Sequence, residues 1–186
     1  GTLELAARSE LAFALSSPES TGLDAGACCP WTDADLPGDQ SRDDELSLSF
    51  TTEPLKGCVE ILGVPVLTVE VESDQPVALL AVRLCDVAPD GSSRLVTRGL
   101  LNLAHRSGSA DPQPLEPGRR DRVRLPLEAI AHAFPAGHRV RLAVSSSYWP
   151  WAWPSPRPAT VTVFTGPRAR FELPVRPPGK RDCVPT

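Results

Sequence analysis

Twenty-one prolines are spread through the 186 residues, about twice the usual ~5% share. Proline inside a helix removes a hydrogen bond and clashes with the preceding turn, and inside a sheet it removes a ladder donor. A chain so interrupted is restricted to short elements joined by turns. Between the prolines, apolar residues recur with period two. Leu46, Leu48 and Phe50 alternate with Ser47, Ser49 and Thr51. The pattern continues through Val69 and Val71, Leu80 to Leu84, Leu101 and Leu103, Val123 to Leu127, Val140 to Val144, Val161 and Val163, and Phe171 to Val175. Arg122, Arg124, Arg139 and Arg141 take the intervening slots, the mark of a sheet with one wet face. Turn signals such as Pro89-Asp90-Gly91 and Glu116-Pro117-Gly118 separate the runs. The spacing predicts about eight or nine strands in two antiparallel sheets, an all-β sandwich. Only Glu128 to Phe134 reads as helix, two turns at most.

At this length the chain is one large domain able to bury roughly 70% of its unfolded surface. The first 35 residues read as an irregular extension, or as a first strand and connector; residues 36–177 carry the sandwich and 178–186 read as a tail. The net charge is −4 with dispersed Lys and Arg, which excludes the electrostatic footprint of a nucleic-acid or anionic-membrane binder. No apolar run approaches ~18 residues and no basic-then-apolar leader opens the chain, so neither a spanning helix nor a secretory signal is expected.

The five cysteines are odd in number and lack metal-ligand spacing. Cys58 and Cys85 sit in strand-like runs and read as buried free thiols. Cys28-Cys29 is a vicinal loop pair and Cys183 lies in the tail. A reducing, cytoplasmic location follows, with no metal and no cofactor.

The residues that could carry chemistry are few. No G-x-S-x-G pentapeptide is present, so the nucleophile elbow of an α/β-hydrolase is missing. Ser145 to Ser147 with His105 or His138 is the one grouping from which a serine–histidine set could form, and strand-closing serines with packed histidines are the simpler reading. Asp33, Asp35 and Gly38 have the first spacings of a calcium loop, but Pro37 has no ligand side chain at the fifth position, Asp44 replaces the usual Glu at the twelfth, and no helix flanks it. Trp149, Trp151 and Trp153 alternate with Pro150, Ala152 and Pro154. Such an extended segment suits a sugar-stacking platform, a partner-docking patch, or a lid packed on its own core.

Several stretches in order resemble the C-terminal non-catalytic domain of the X-Pro dipeptidyl-peptidase and cocaine-esterase-like (CocE/NonD) serine hydrolases. They are Asp39-Gln40 followed by Arg42-Asp43-Asp44, the Asp86-Val87-Ala88-Pro89-Asp90-Gly91 turn, His105-Arg106, Gly137-His138-Arg139 and Ser145-Ser146-Ser147. The resemblance implies a jelly-roll sandwich of galactose-binding-domain-like type. It implies that this chain is not itself an enzyme and carries no catalytic residue, and that its partner is the α/β-hydrolase domain of a dipeptidyl-peptidase, acyl-peptidase or esterase, with room for a homo-oligomer. Asp39, Gln40, Arg42 and Asp43, with Trp149, Trp151 and Trp153, are the expected interface or cleft residues. The rival expectation is a free-standing carbohydrate- or ligand-binding module using the Trp149–Trp153 loop.

Overall fold

The computed structural model describes residues 1–5 and 9–176; the expected 178–186 tail and Cys183 lie outside the described residues. The elements in chain order are β1 (Leu3–Leu5), β2 (Ala12–Leu15), α1 (Ser41–Glu45), β3 (Leu48–Thr51), β4 (Val59–Gly63), β5 (Val66–Ser73), β6 (Leu79–Val87) and β7 (Ser93–Asn102). Then come β8 (Asp121–Pro126), β9 (Ile130–Phe134), β10 (Arg139–Ser145), β11 (Val161–Phe164) and β12 (Arg170–Leu173). Short 3-10 turns cover Asp33–Asp35 and Leu103–His105. Among the described residues no helix is long and apolar enough to cross a membrane.

The fold is an all-β sandwich of antiparallel strands. One sheet runs β3-β10-β6-β7 and the other β1-β12-β5-β11-β2, with β8 also paired to β5. β8 covers residues 66–71 of β5, while β12 pairs with residues 66–68 and β11 with residues 70–73. Since a strand has two edges, β11 and β12 lie end to end along one edge of β5 and β8 runs along the other. The chain leaves the sheet between them at residues 165–169. Each β5 register puts Leu67, Val69 and Val71 on the inner face, where Leu80, Val82 and Leu84 of β6 and Val140, Leu142 and Val144 of β10 meet them. β8 behaves as its pattern predicts: Val123 and Leu125 are buried while Arg122 and Arg124 face solvent.

Two expectations fail. Glu128 to Phe134 is not helical: Ile130–Phe134 is a strand paired with β4, from Val59↔Phe134 to Gly63↔Ile130. Ala131 and Ala133 give the segment a helical look, yet Ile130, His132 and Phe134 alternate with them, and burial of Phe134 (0% exposed) decides the outcome. This pair forms a third, two-stranded sheet, and together with β1 and β2 it brings the strand count to twelve among the described residues. The one α-helix among them is α1, on the Arg42-Asp43-Asp44 stretch. Second, Cys58 is not a free thiol but disulfide-bonded, whereas Cys85 is free and buried as expected.

Asp86 at the end of β6 holds three elements together. Its Oδ2 meets His132 Nε2 of β9 at 2.9 Å, and its Oδ1 meets His138 Nδ1, just before β10, at 2.8 Å. Burial alone would raise this carboxyl, but the two imidazole hydrogen bonds and their charge outweigh it, and its pKa is lowered. A depressed carboxylate contributes stability that is present above its unfolded pKa of about 3.9 and is lost as pH falls through the folded value. Urea unfolding at stepped pH should therefore show stability declining below about pH 4. Asp86→Asn should cost about 1–3 kcal/mol at pH 7 and flatten that decline.

Candidate functional site

β6 is buried on both faces along all nine residues. Its outer face, with Ala81, Arg83 and Cys85, lies beneath a layer of loops built from the segment before β3 and the segment after β10. The charge of Arg83, 1% exposed, is met by Asp44 at 3.0 Å. Asp44 also accepts from Arg141 Nη1 at 2.9 Å and from Ser93 Oγ at 2.6 Å. Arg83 donates further to Gln40 Oε1 at 3.2 Å and to Ser47 Oγ at 2.9 Å. A charge this deep is tolerable only when paired and hydrogen-bonded. Burial, reinforced by the Asp44 carboxylate, pushes the neighbouring Cys85 thiol up to about 12, so it is not a nucleophile.

The expected residues from the Asp39 to Asp43 stretch therefore divide. Gln40 is fully buried and donates its Nε2 to the carbonyls of Asp24 (2.6 Å) and Gly38 (2.9 Å), pinning the incoming loop. Asp43, also fully buried, accepts from the Gly22 amide at 3.0 Å; burial, outweighing that bond, pushes its carboxyl up. Asp39 is exposed and accepts from the hydroxyl and amide of Ser41 and from the Ser93 amide, in that order the causes that hold its carboxyl low. Arg42 is exposed. Asp44 and Arg83, the centre of the arrangement, are not among the expected residues. An arginine inside Leu79-Leu80-Ala81-Val82-Arg83-Leu84-Cys85 is the available signal, since such a charge must find a partner.

The three expected tryptophans do not act together. Trp151 is packed inward: its Nε1 donates to Gly26 O at 2.9 Å and the Arg98 guanidinium lies 3.2 Å from its ring centroid. Arg98 itself donates to Ala25 O at 3.0 Å. Trp149 is half-buried and hydrogen-bonds through its amide to Thr21 O at 2.8 Å. The chain passes so close here that a Cβ on Gly22 (φ +105°) would lie 2.5 Å from Trp149 O. Trp153 stands out at 83% exposed, its ring 5.1 Å from that of Trp149. Trp31, on the same loop layer, is 91% exposed. Nothing in the sequence singles it out, because it stands alone between the cysteine pair and the acidic segment.

No hydrolytic set assembles from the serine run. Ser146 and Ser17 exchange amide-to-hydroxyl hydrogen bonds, while Ser145 Oγ and Ser147 Oγ are buried without a protein partner. His138 is committed to Asp86. In the acidic segment, Asp35 Oδ2 accepts from the Trp31 and Thr32 amides and from the Thr32 hydroxyl, which makes it a turn cap.

Two contrasts follow for stability, both read by denaturant unfolding. Asp44→Ala strands the Arg83 charge and should cost about 3–5 kcal/mol. Trp151→Ser should cost about as much, from its lost packing, while Trp153→Ser should stay within about 0.5 kcal/mol.

Comparison with known proteins matches this architecture to one family. The model of the X-Pro dipeptidyl-peptidase C-terminal non-catalytic domain matches residues 4–171. A cocaine esterase of a Rhodococcus species is 31% identical over 118 residues, covering 61% of this chain and 20% of that protein; the chain thus spans about a fifth of the curated relatives it matches. In fold it is similar to an aminopeptidase of a marine sediment Thaumarchaeota archaeon, with a TM-score of 0.75, 21% identity, and coverage of 92% of this chain and 34% of that one. It is also similar to an α-amino acid ester hydrolase, with a TM-score of 0.71, 22% identity, and coverage of 90% and 32%. With its Asp44–Arg83 anchor, its loop layer and nearly all of its sandwich inside the matched span, the chain belongs to the family of X-Pro dipeptidyl-peptidase C-terminal non-catalytic domains.

Proposed function

We propose that this chain serves as the accessory domain of a larger serine hydrolase of dipeptidyl-peptidase, acyl-peptidase or esterase type, packing against an α/β-hydrolase domain and shaping its cleft. The observation that carries this reading is the loop layer. It is anchored below by buried charge, and it presents two indoles, Trp31 and Trp153, almost wholly to solvent; Leu23 and Leu36 of the same segment are exposed as well. Trp is enriched where one protein surface meets another, and a large indole left almost fully exposed is a docking handle that a buried one is not. Asp39 and Arg42, exposed at the foot of the same layer, supply its polar rim. The rival reading, a sugar-stacking module, needs rings presented in a row, and Trp151 is tied into the layer instead.

The compartment is less simple than the cysteine spacing implies. Free Cys28, Cys29 and Cys85 suit the cytoplasm, but bonded Cys58 is the chemistry of an oxidising space.

Two measurements test the reading. The chain should release no p-nitrophenol from p-nitrophenyl butyrate and no p-nitroaniline from X-Pro anilides above background; turnover abolished by replacing Ser145, Ser146 or Ser147 would overturn it. Replacing Trp31 and Trp153 together by Ser should lower hydrophobic-dye binding severalfold while stability stays within about 0.5 kcal/mol per site. Cooperative loss of the fold in that double variant would show the rings to be core and defeat the docking role.

A further inference from the structure

The charge of the chain is distributed unevenly. Residues 19–45, which belong to the loop layer, hold eight Asp or Glu and one Arg, a net −7 where the whole chain carries −4. The rest of the molecule is therefore net positive. Two of the eight, Asp43 and Asp44, are buried, and Asp44 is met by Arg83 and Arg141. The other six, Glu19, Asp24, Asp33, Asp35, Asp39 and Glu45, are exposed or half-buried, and among the described residues none is in an ion pair. Outside the layer, by contrast, Glu10 is met by Arg120, Glu53 by Arg139, Glu70 by Arg168 and Glu172 by Arg170.

α1 shows how the local fold turns charge outward. Residues three apart on a helix share a face, so with Asp43 and Asp44 buried, Arg42 and Glu45 are turned to solvent. No residue of the Asp33–Asp35 turn is buried. The Asp35 carboxylate accepts from the amide of Trp31, whose indole is 91% exposed, so the ring and the carboxylates stand on one short turn. The bond from the Trp31 amide, then those from Thr32, hold the Asp35 carboxyl low, and it is ionised at neutral pH. The carboxylates are spread along the layer, and among the described residues no three His, Cys, Asp or Glu converge as a metal site would. Ionised carboxylates around an exposed indole are complementary to guanidinium groups, which pair with carboxylate in a planar fork and stack on aromatic faces. A field of one sign also selects its partner, since like charge facing it is repelled.

We propose that the loop layer docks on an arginine-rich face of the partner hydrolase domain, with guanidinium groups stacked on Trp31 and paired with the carboxylates around it. The inference rests on the docking role above and adds the charge of the partner to it.

Fluorescence anisotropy of labelled octa-arginine titrated with the chain tests this, with octa-lysine and octa-glutamate as comparisons. Saturable octa-arginine binding is expected at low salt and should vanish at about 0.5 M salt. Octa-lysine should bind more weakly, lacking the planar stack, and octa-glutamate not at all. Glu19→Gln, Asp33→Asn and Glu45→Gln together should weaken octa-arginine roughly five- to tenfold. Glu72→Gln, Asp111→Asn and Glu128→Gln together remove the same charge outside the layer and should change it less than about twofold. Trp31→Ser should weaken octa-arginine by roughly two- to fivefold and affect octa-lysine less. The proposal is overturned by absence of saturable octa-arginine binding, by equal weakening in the two triple variants, or by a Trp31→Ser variant that binds as tightly as the unaltered chain. Any of these with the dye response of Trp31 and Trp153 intact would leave the docking role standing and the partner's charge wrong. Self-association at low salt that the first triple variant abolishes, without octa-arginine binding, would assign the layer to the basic side of a second copy and overturn the proposal equally.

Discussion

The Arg83–Asp44 pair is the interaction on which the outer half of the molecule depends. A central strand of a two-layer sandwich ordinarily buries one face; β6 buries both, and the residue at its outer midpoint is an arginine. Leaving a guanidinium dry without a partner costs several kcal/mol, so the arginine is tolerable only when the segment before β3 brings Asp44, Gln40 and Ser47 onto it. The anchor thus demands the loop layer as much as the layer demands the anchor. Its value lies in specifying where the loops go, since a hydrophobic replacement of both partners could be as stable but would not dictate that Gln40, Asp24 and Gly38 meet there. A second arginine ties in the neighbouring strand: Arg141 on β10 reaches the same Asp44 carboxylate.

Two apolar clusters reflect this arrangement. The large one fills the space between the sheets. The small one, with Ala25, Leu79, Ala81 and Tyr148, glues the loop layer to the back of the four-stranded sheet. Stability and presentation are divided between them. Substitutions in the first affect the whole fold, while the second sets how firmly the exposed indoles are held.

Much of the sandwich is legible because its physics is local: alternating residues in β3, β5, β6, β8, β10, β11 and β12 show period two without reference to any distant segment. The segment Ile130–Phe134 misleads for the opposite reason. Its alternating partner to each larger side chain is alanine, which is content in a helix, and only pairing with β4 resolves the choice. The site is less legible than the fold. The stretch from Asp39 to Asp43 stands out by its wording, but its burial depends on Arg83, far along the chain in β6. Trp149, Trp151 and Trp153 look equivalent in sequence, and what separates them is the position of Arg98 and Gly26, which no spacing rule reveals. Cys58 misleads because the bonded state of a thiol is a matter of distance and environment, not of its neighbours in the chain.

The pairing of β1 with β12 has a mechanical consequence. Leu3 lies opposite Leu173 and Leu5 opposite Phe171, and the amino group of Gly1 donates to Val175 O at 2.9 Å. The two described ends of the chain therefore emerge side by side from one corner of the six-stranded sheet. Tension applied between them acts across the hydrogen bonds of that pair, opening them one after another like a zip, instead of loading them all in shear. The sandwich would yield first at this corner under a small force, while the loop layer and its anchored charge, on the opposite sheet, stay out of the line of pull.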